Sequence, residues 1–177
     1  DGSVRRARWY VLAASIAIVF IVTGPRLSYS IFIEPLTADL GWSRTLVVLP
    51  YAILVLLHGL FQPVVGRFVD SYGPRVVILI SVVIGCLALV ATSFVTQPWQ
   101  MVSLFSVVFS IAVAGTGPIP LMVLLAPWFS ERQRAKVFGA LHALLPISVF
   151  FFAPVVFTVI SSWGWRVAFM ILGLFFL

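Results

Sequence analysis

Between Trp9 and Leu177 the chain alternates long apolar runs with short polar breaks, and that alternation leaves few folds open. Each full run reaches or exceeds the ~20 residues that carry a helix across a ~30 Å hydrocarbon core. Backbone amides in lipid must be satisfied within their own segment, so the runs read as helices. Composition closes the other route: 62% of residues are hydrophobic and 9% charged, with a mean hydropathy of +1.18, whereas a soluble domain carries about a quarter charged residues. The expectation is an all-α membrane protein of six transmembrane helices, a single transmembrane domain over 1–177 with no soluble domain.

The first span covers 9–24, is interrupted by Pro25 and Arg26, and resumes over 27–36 as one kinked rod. Glu34, Asp39, Gly41 and Trp42 mark the next turn, and Ser43 is placed to cap the second span, 44–66. The third span is 76–95. The fourth, 99–125, carries Gly115, Gly117, Pro118 and Pro120, which predict a bend or local unwinding. The fifth is 135–160. SSWGWR (161–166) then turns the chain into a sixth, cut short at Leu177, so a longer protein is expected. All six tryptophans fall at span ends, as an interfacial belt should. The phenylalanines read as lipid-facing bulk.

The net charge of +6 could suggest nucleic acid, but the basic residues sit in short clusters between apolar runs. Arg5, Arg6 and Arg8, then Arg67 and Arg75, then Arg132, Arg134 and Lys136 share one face if the spans alternate; Arg44 and Arg166 occupy the other. The positive-inside rule puts the first face, and the N-terminus, in the cytoplasm of a plasma (inner) membrane. No nucleic-acid partner is expected. Cys86 stands alone, which excludes a disulfide or a cysteine-based metal site within the chain. There is no H-E-x-x-H, P-loop, G-x-S-x-G or pair of intramembrane carboxylates. No catalytic residue, metal or cofactor is expected, and the chain does not read as an enzyme.

Charge, glycine and proline crowd together at 62–75, QPVVGRFVDSYGPR, which reads as a tight loop joining spans two and three. Gly66 would let two helix ends approach, Gly73 would supply a positive φ, and Asp70 would satisfy free N–H groups at the start of span three. Arg67 and Arg75 would hold the loop at an anionic surface. A topogenic hairpin with no mechanistic role fits the same spacing.

Arg26 is the sharpest binding candidate. A central arginine opposes insertion by about 2.5–3.5 kcal/mol, which the apolar residues of its span offset, and intramembrane charges usually face a pathway. Tyr29 and Ser30, three and four residues on, fall on its face; the trio could hold a carboxylate, guanidinium as fork and hydroxyls as donors. Snorkelling to the outer interface, or pairing with Glu34, is the alternative. His58, roughly 12 Å inside the end of its span, could couple proton movement or simply hydrogen-bond a neighbouring helix; His142, nearer the surface, has a weaker claim. Ser103, Ser106, Ser110, Ala114 and Gly117 form a small-residue stripe suited to close helix packing, with lining a cavity as the weaker alternative.

The pattern Gly66-x-x-x-Asp70-x-x-Gly73-x-Arg75 resembles the loop signature of the major facilitator superfamily. Residues 28–44 (SYSIFIEPLTADLGWSR), 128–139 (WFSERQRAKVFG) and 163–173 (WGWRVAFMILG) are similar to its monocarboxylate-transporter-like and oxalate/formate-antiporter branch. The resemblance implies the amino-terminal six-helix bundle of a twelve-helix carrier, with the Asp70 loop latching against the other half. The basic residue that many relatives carry in span four is missing, and Ala153-Pro154 stands where Gly-Pro is usual, which weakens a proton-coupled drug-efflux reading. The expected function is secondary transport of a small organic anion, such as a monocarboxylate, by alternating access. The partners are then that solute, the bilayer and a carboxy-terminal half. A non-transporting sensor or assembly protein on the same fold, or a sugar or drug carrier, stays open.

Overall fold

The computed structural model describes residues 2–176, with side chains from Arg8 onward, so Arg5 and Arg6 of the basic head fall outside the described side chains. Among the described residues five helical stretches, not six, are long and apolar enough to cross a membrane. In the first, α1 (Gly2–Leu27) tightens to a 3-10 turn over Ser28–Phe32 and continues as α2 (Ile33–Leu40). Gly41, at φ 66°, ends it with a left-handed cap whose N–H bonds Thr37 O. Ser43 caps α3 (Arg44–Tyr72) as expected, its Oγ accepting from Leu46 N–H at 3.4 Å.

The predicted loop at 62–75 is mostly helix. α3 runs through Gly66, Arg67 and Asp70 to Tyr72, and the turn is the single residue Gly73, at φ 81° and ψ 156°, before α4 (Pro74–Thr92). Its 29 residues rise about 43 Å, longer than the hydrocarbon core is thick, so the charged end can stay helical beyond it. Two expectations about this segment are corrected. A Cβ at Gly66 would meet open space, so no helix approaches there. No side chain caps α4, and Asp70 lies exposed on α3. The positive φ expected of Gly73 is present.

The fourth stretch is assembled from α5 (Pro98–Met101), a π-helical segment (Val102–Val108), α6 (Phe109–Gly115) and α7 (Pro118–Leu125), closing in a 3-10 turn over Ala126–Trp128. The unwinding expected near Gly117 falls at Thr116 and Gly117. The π-helical segment had no signal, since neither glycine nor proline marks it. Within it the buried Ser106 donates to Pro50 O at 2.8 Å, tying the widened turn to α3. Ser110 and Ala114 are buried too, so the middle of the small-residue stripe packs helices, while Gly117 at its end lines a cleft.

α8 (Glu131–Phe175) is broken at Gly164, at φ 84° and ψ 167°. Before the break Phe152 lies 5.4 Å from Phe20; after it Phe169 lies 4.3 Å from Phe32. Ile160 shares a cleft with Pro35 and Asp39, beyond both of those levels on the first span, so the chain reverses at Gly164 and runs back along that span. The arm at 165–175 rises only about 16 Å, too short to cross by itself, which is why five stretches qualify. Gly73 and Gly164 thus make the same one-residue reversal, in a conformation nearly confined to glycine.

Several phenylalanines expected to face lipid are the core. Phe32, Phe105, Phe109 and Phe169 are fully buried, and Tyr29 stacks on Phe105 at 4.6 Å. Trp165, next to the reversal, is likewise buried against protein: its Nε1–H donates to Asp39 Oδ2 at 2.9 Å, and Arg166 pairs with the same oxygen at 2.6 Å. That clasp joins the end of α2 to the arm beyond Gly164. At the other end Arg8 lies 4.9 Å from the Phe129 ring, and Arg134 donates to Ala126 O and Phe129 O at 2.7 and 3.0 Å. Glycine permits the closest crossings: a Cβ at Gly115 would collide with Ser81, and one at Gly85 with the Phe176 ring. Overpacking such a contact destabilises by about 1–3 kcal/mol. Gly115→Val should therefore lower the thermal unfolding midpoint in detergent by several degrees, with Gly59→Ala, at an open position, as the unaffected control.

Candidate functional site

A cleft of about 220 Å³ opens between α1, α3, α8 and the α6–α7 break. α1 contributes Val19, Val22, Thr23 and Arg26; α3 contributes His58. Thr116, Gly117, Pro118 and Leu121 come from the break, and Phe138, Leu141, His142 and Leu145 from α8. Its wall is mainly apolar with a few convergent polar groups, the usual composition of a small-molecule site. The lining is uneven in charge: Arg26 is there, and no carboxylate is.

Arg26 is half-buried, and its Nε is buried with no hydrogen-bond partner among the described residues. It does not pair with Glu34; the one ion pair among the described residues is the Asp39–Arg166 clasp. The predicted trio is not assembled. Tyr29 is buried in the aromatic stack with its hydroxyl donating to Val47 O at 2.7 Å, and Ser30 is exposed beside Glu34 in a different, shallow cleft. The 3-10 turn over Ser28–Phe32 turns about 120° per residue in place of 100°, which carries Ser30 off the Arg26 face. Thr23, one turn before Arg26, takes the place expected of Ser30.

His58 is brought to the cleft beside Arg26, and His142 joins from α8 with Nδ1 at 3.0 Å from Phe138 O. His58 Nε2 lies 3.3 Å from Gln62 Nε2 on the same face of α3; His58 Nδ1 and Gln62 Oε1 are buried without partners. Thr116 donates to Ala112 O at 2.8 Å and so presents only its lone pairs. Arg67, Asp70 and Arg75, expected to form a gating loop, lie outside the cleft, exposed at the α3–α4 turn. Gln62, Thr23, Thr116 and Gly117 were absent from the expected set. Two had a helical-spacing signal: Gln62 is four residues from His58, and Thr23 three from Arg26.

A half-buried cation with no counter-ion among the described residues, flanked by unused donors and acceptors on an apolar wall, suits a small anionic group. Comparison with known proteins agrees on the architecture. The chain is 25% identical over 169 residues to the oxalate:formate antiporter of Oxalobacter formigenes, covering 94% of this chain and 39% of that protein. It is 23% identical to the probable sulfoacetate transporter of Cupriavidus necator, covering 95% of this chain and 39% of that protein. It is 26% identical to the class C tetracycline resistance protein of Escherichia coli, covering 83% and 37%. The chain thus spans about two fifths of the length of these curated relatives. Residues 11–177 match the Major Facilitator Superfamily. That match begins inside the first long apolar stretch and takes in all the others, and the chain is an integral membrane protein belonging to the Major Facilitator Superfamily.

Proposed function

We propose that this chain is the amino-terminal six-helix half of a twelve-helix secondary transporter that moves a small organic anion, such as a monocarboxylate, by alternating access. The observation that carries the reading is Arg26: a half-buried guanidinium in a cleft with no acidic residue on its wall. An anion from outside would complete its hydrogen bonding and balance its charge. The arm beyond Gly164 is then the start of the sixth helix, and a second bundle would close the open side of the cleft and rock against this one. The exposed Arg67, Asp70 and Arg75 are free to latch against that bundle. The relatives named for oxalate and formate and for sulfoacetate support an anionic solute. The apolar wall and the tetracycline resistance relative favour, as a second reading, an uncharged or drug-like solute.

Uptake into proteoliposomes by the full-length protein separates the two. Labelled formate, oxalate, lactate and sulfoacetate are offered beside a sugar and tetracycline. Saturable uptake of at least one small anion, competed by the others, is expected; uptake of a neutral solute that no anion inhibits would replace the first reading with the second. Orientation has its own test. Cysteines at positions 70 and 166, in a Cys86→Ser background, should react with a membrane-impermeant maleimide from opposite sides, with position 70 reached from the cytoplasm. Labelling of both from one side would remove the topology.

A further inference from the structure

The geometry points to Gln62 as a positioning residue: it holds His58 in the tautomer whose Nδ1–H faces the anion beside Arg26, making this a two-donor site. The inference rests on the anion-binding reading above and assigns what the donors around Arg26 are. An amide nitrogen can only donate, so across the 3.3 Å contact His58 Nε2 accepts and the proton of the neutral ring is on Nδ1. That Nδ1 is buried and has no partner among the described residues, like Arg26 Nε on the facing α1. Both residues line one cleft, and His142 from α8 is the remaining ionisable residue on its wall.

The amide is oriented by the break in the fourth stretch. One point, where a Cβ on Gly117 would sit, is 3.0 Å from Ala114 O, 3.1 Å from Val113 O and 3.3 Å from Gln62 Nε2. The NH2 end of Gln62 therefore lies beside the carbonyl end of α6, which carries partial negative charge. The opposite rotamer would turn Oε1 toward that partially negative end. Gly117 leaves room for this arrangement, and any larger residue would press on the amide.

Single and double variants of the full-length carrier test it, with KM and turnover read separately for an anion the wild type transports. Gln62→Met keeps length and volume but frees the ring; KM should rise about tenfold, the effect of losing one hydrogen bond to a charged ligand, with turnover within about twofold. His58→Asn puts an amide N–H where Nδ1 sits and needs no tautomer, so its KM should rise less than that of Gln62→Met. Adding Gln62→Met to it should then change nothing further. His58→Gln, whose amide reaches the Nε2 position instead, should match Gln62→Met. An unchanged KM for Gln62→Met, or the same loss from it whether or not His58→Asn is also present, overturns the inference. Should Gln62→Met fail to fold, the His58→Asn and His58→Gln pair still decides, since equal KM values for the two would contradict it. Arg26-dependent uptake that ignores Gln62 sinks this inference alone; no anion uptake by the wild type sinks the reading beneath it as well.

Discussion

Replacing Arg26 by alanine in the full-length carrier should weaken anion uptake by roughly tenfold to a hundredfold while leaving expression and thermal stability near wild type. The magnitude follows from the bond that is lost. A hydrogen bond to a charged group contributes about 1.5–3 kcal/mol, and a guanidinium engaging a carboxylate as a fork gives more than one. Stability should hold because Arg26 has no protein partner to abandon: its Nε is already unmatched and its side chain makes no ion pair among the described residues. Removing a lone cation from an apolar wall relieves a desolvated charge. Arg26→Lys should fall between, since the ammonium keeps the charge and loses the fork. Tyr29→Phe provides the contrast. It should leave KM unchanged and lower stability, because that hydroxyl holds Val47 O and not the solute. Radiolabelled uptake with parallel melting curves reads both. Wild-type kinetics for Arg26→Ala would take the residue out of the transport path.

The second large effect concerns folding. Gly73→Ala and Gly164→Ala should each destabilise the purified protein by about 1–3 kcal/mol, because both glycines hold a backbone conformation nearly closed to other residues. Against a total stability of about 5–15 kcal/mol, that is a visible drop in melting temperature and yield. Gly66→Ala should not follow them. That glycine is helical with open space where its Cβ would stand, and alanine is the better helix former. The two glycines of one short sequence pattern thus separate into one that shapes the turn and one that does not shape this bundle. Differential scanning fluorimetry in detergent on the three variants is sufficient. Equal losses at 66 and 73 would mean that the helix does not run through to Tyr72.

The spans were legible because lipid imposes a length and a hydrogen-bonding rule that leave a mark on every stretch. Their ends were less so. Arg67 and Asp70 looked like a loop because charge interrupts an apolar run, yet a helix that has left the hydrocarbon has no reason to unwind at a charge; it ended only where Gly73 and Pro74 end it. The sixth helix was read from the turn at 161–166, and the reversal at Gly164 is there, but the arm beyond it does not reach spanning length within the described residues. Phenylalanine was assigned to lipid by composition alone. Helix association in lipid rests on van der Waals packing, and the buried rings of Phe32, Phe105 and Phe169 supply a large contact area for it. At the site, Arg26 and His58 were legible as isolated polar residues in apolar runs. The error over Ser30 came from carrying α-helical spacing through a segment that winds tighter. Gln62 was passed over because it stood next to Pro63, where a loop was expected; on a continuous helix its four-residue step from His58 is plain.

The claim everything turns on is that the cleft beside Arg26 receives the solute. Thr23 lines it one turn from the guanidinium, so Thr23→Cys in a Cys86→Ser background puts a single thiol on its wall. The rate at which a small cationic thiosulfonate modifies that thiol is measured with and without a transported anion. The account predicts modification of the free carrier, slowed several-fold by saturating anion and restored by Arg26→Ala at the same anion concentration. A modification rate that the anion leaves unchanged, in a carrier shown to transport it, would contradict the account.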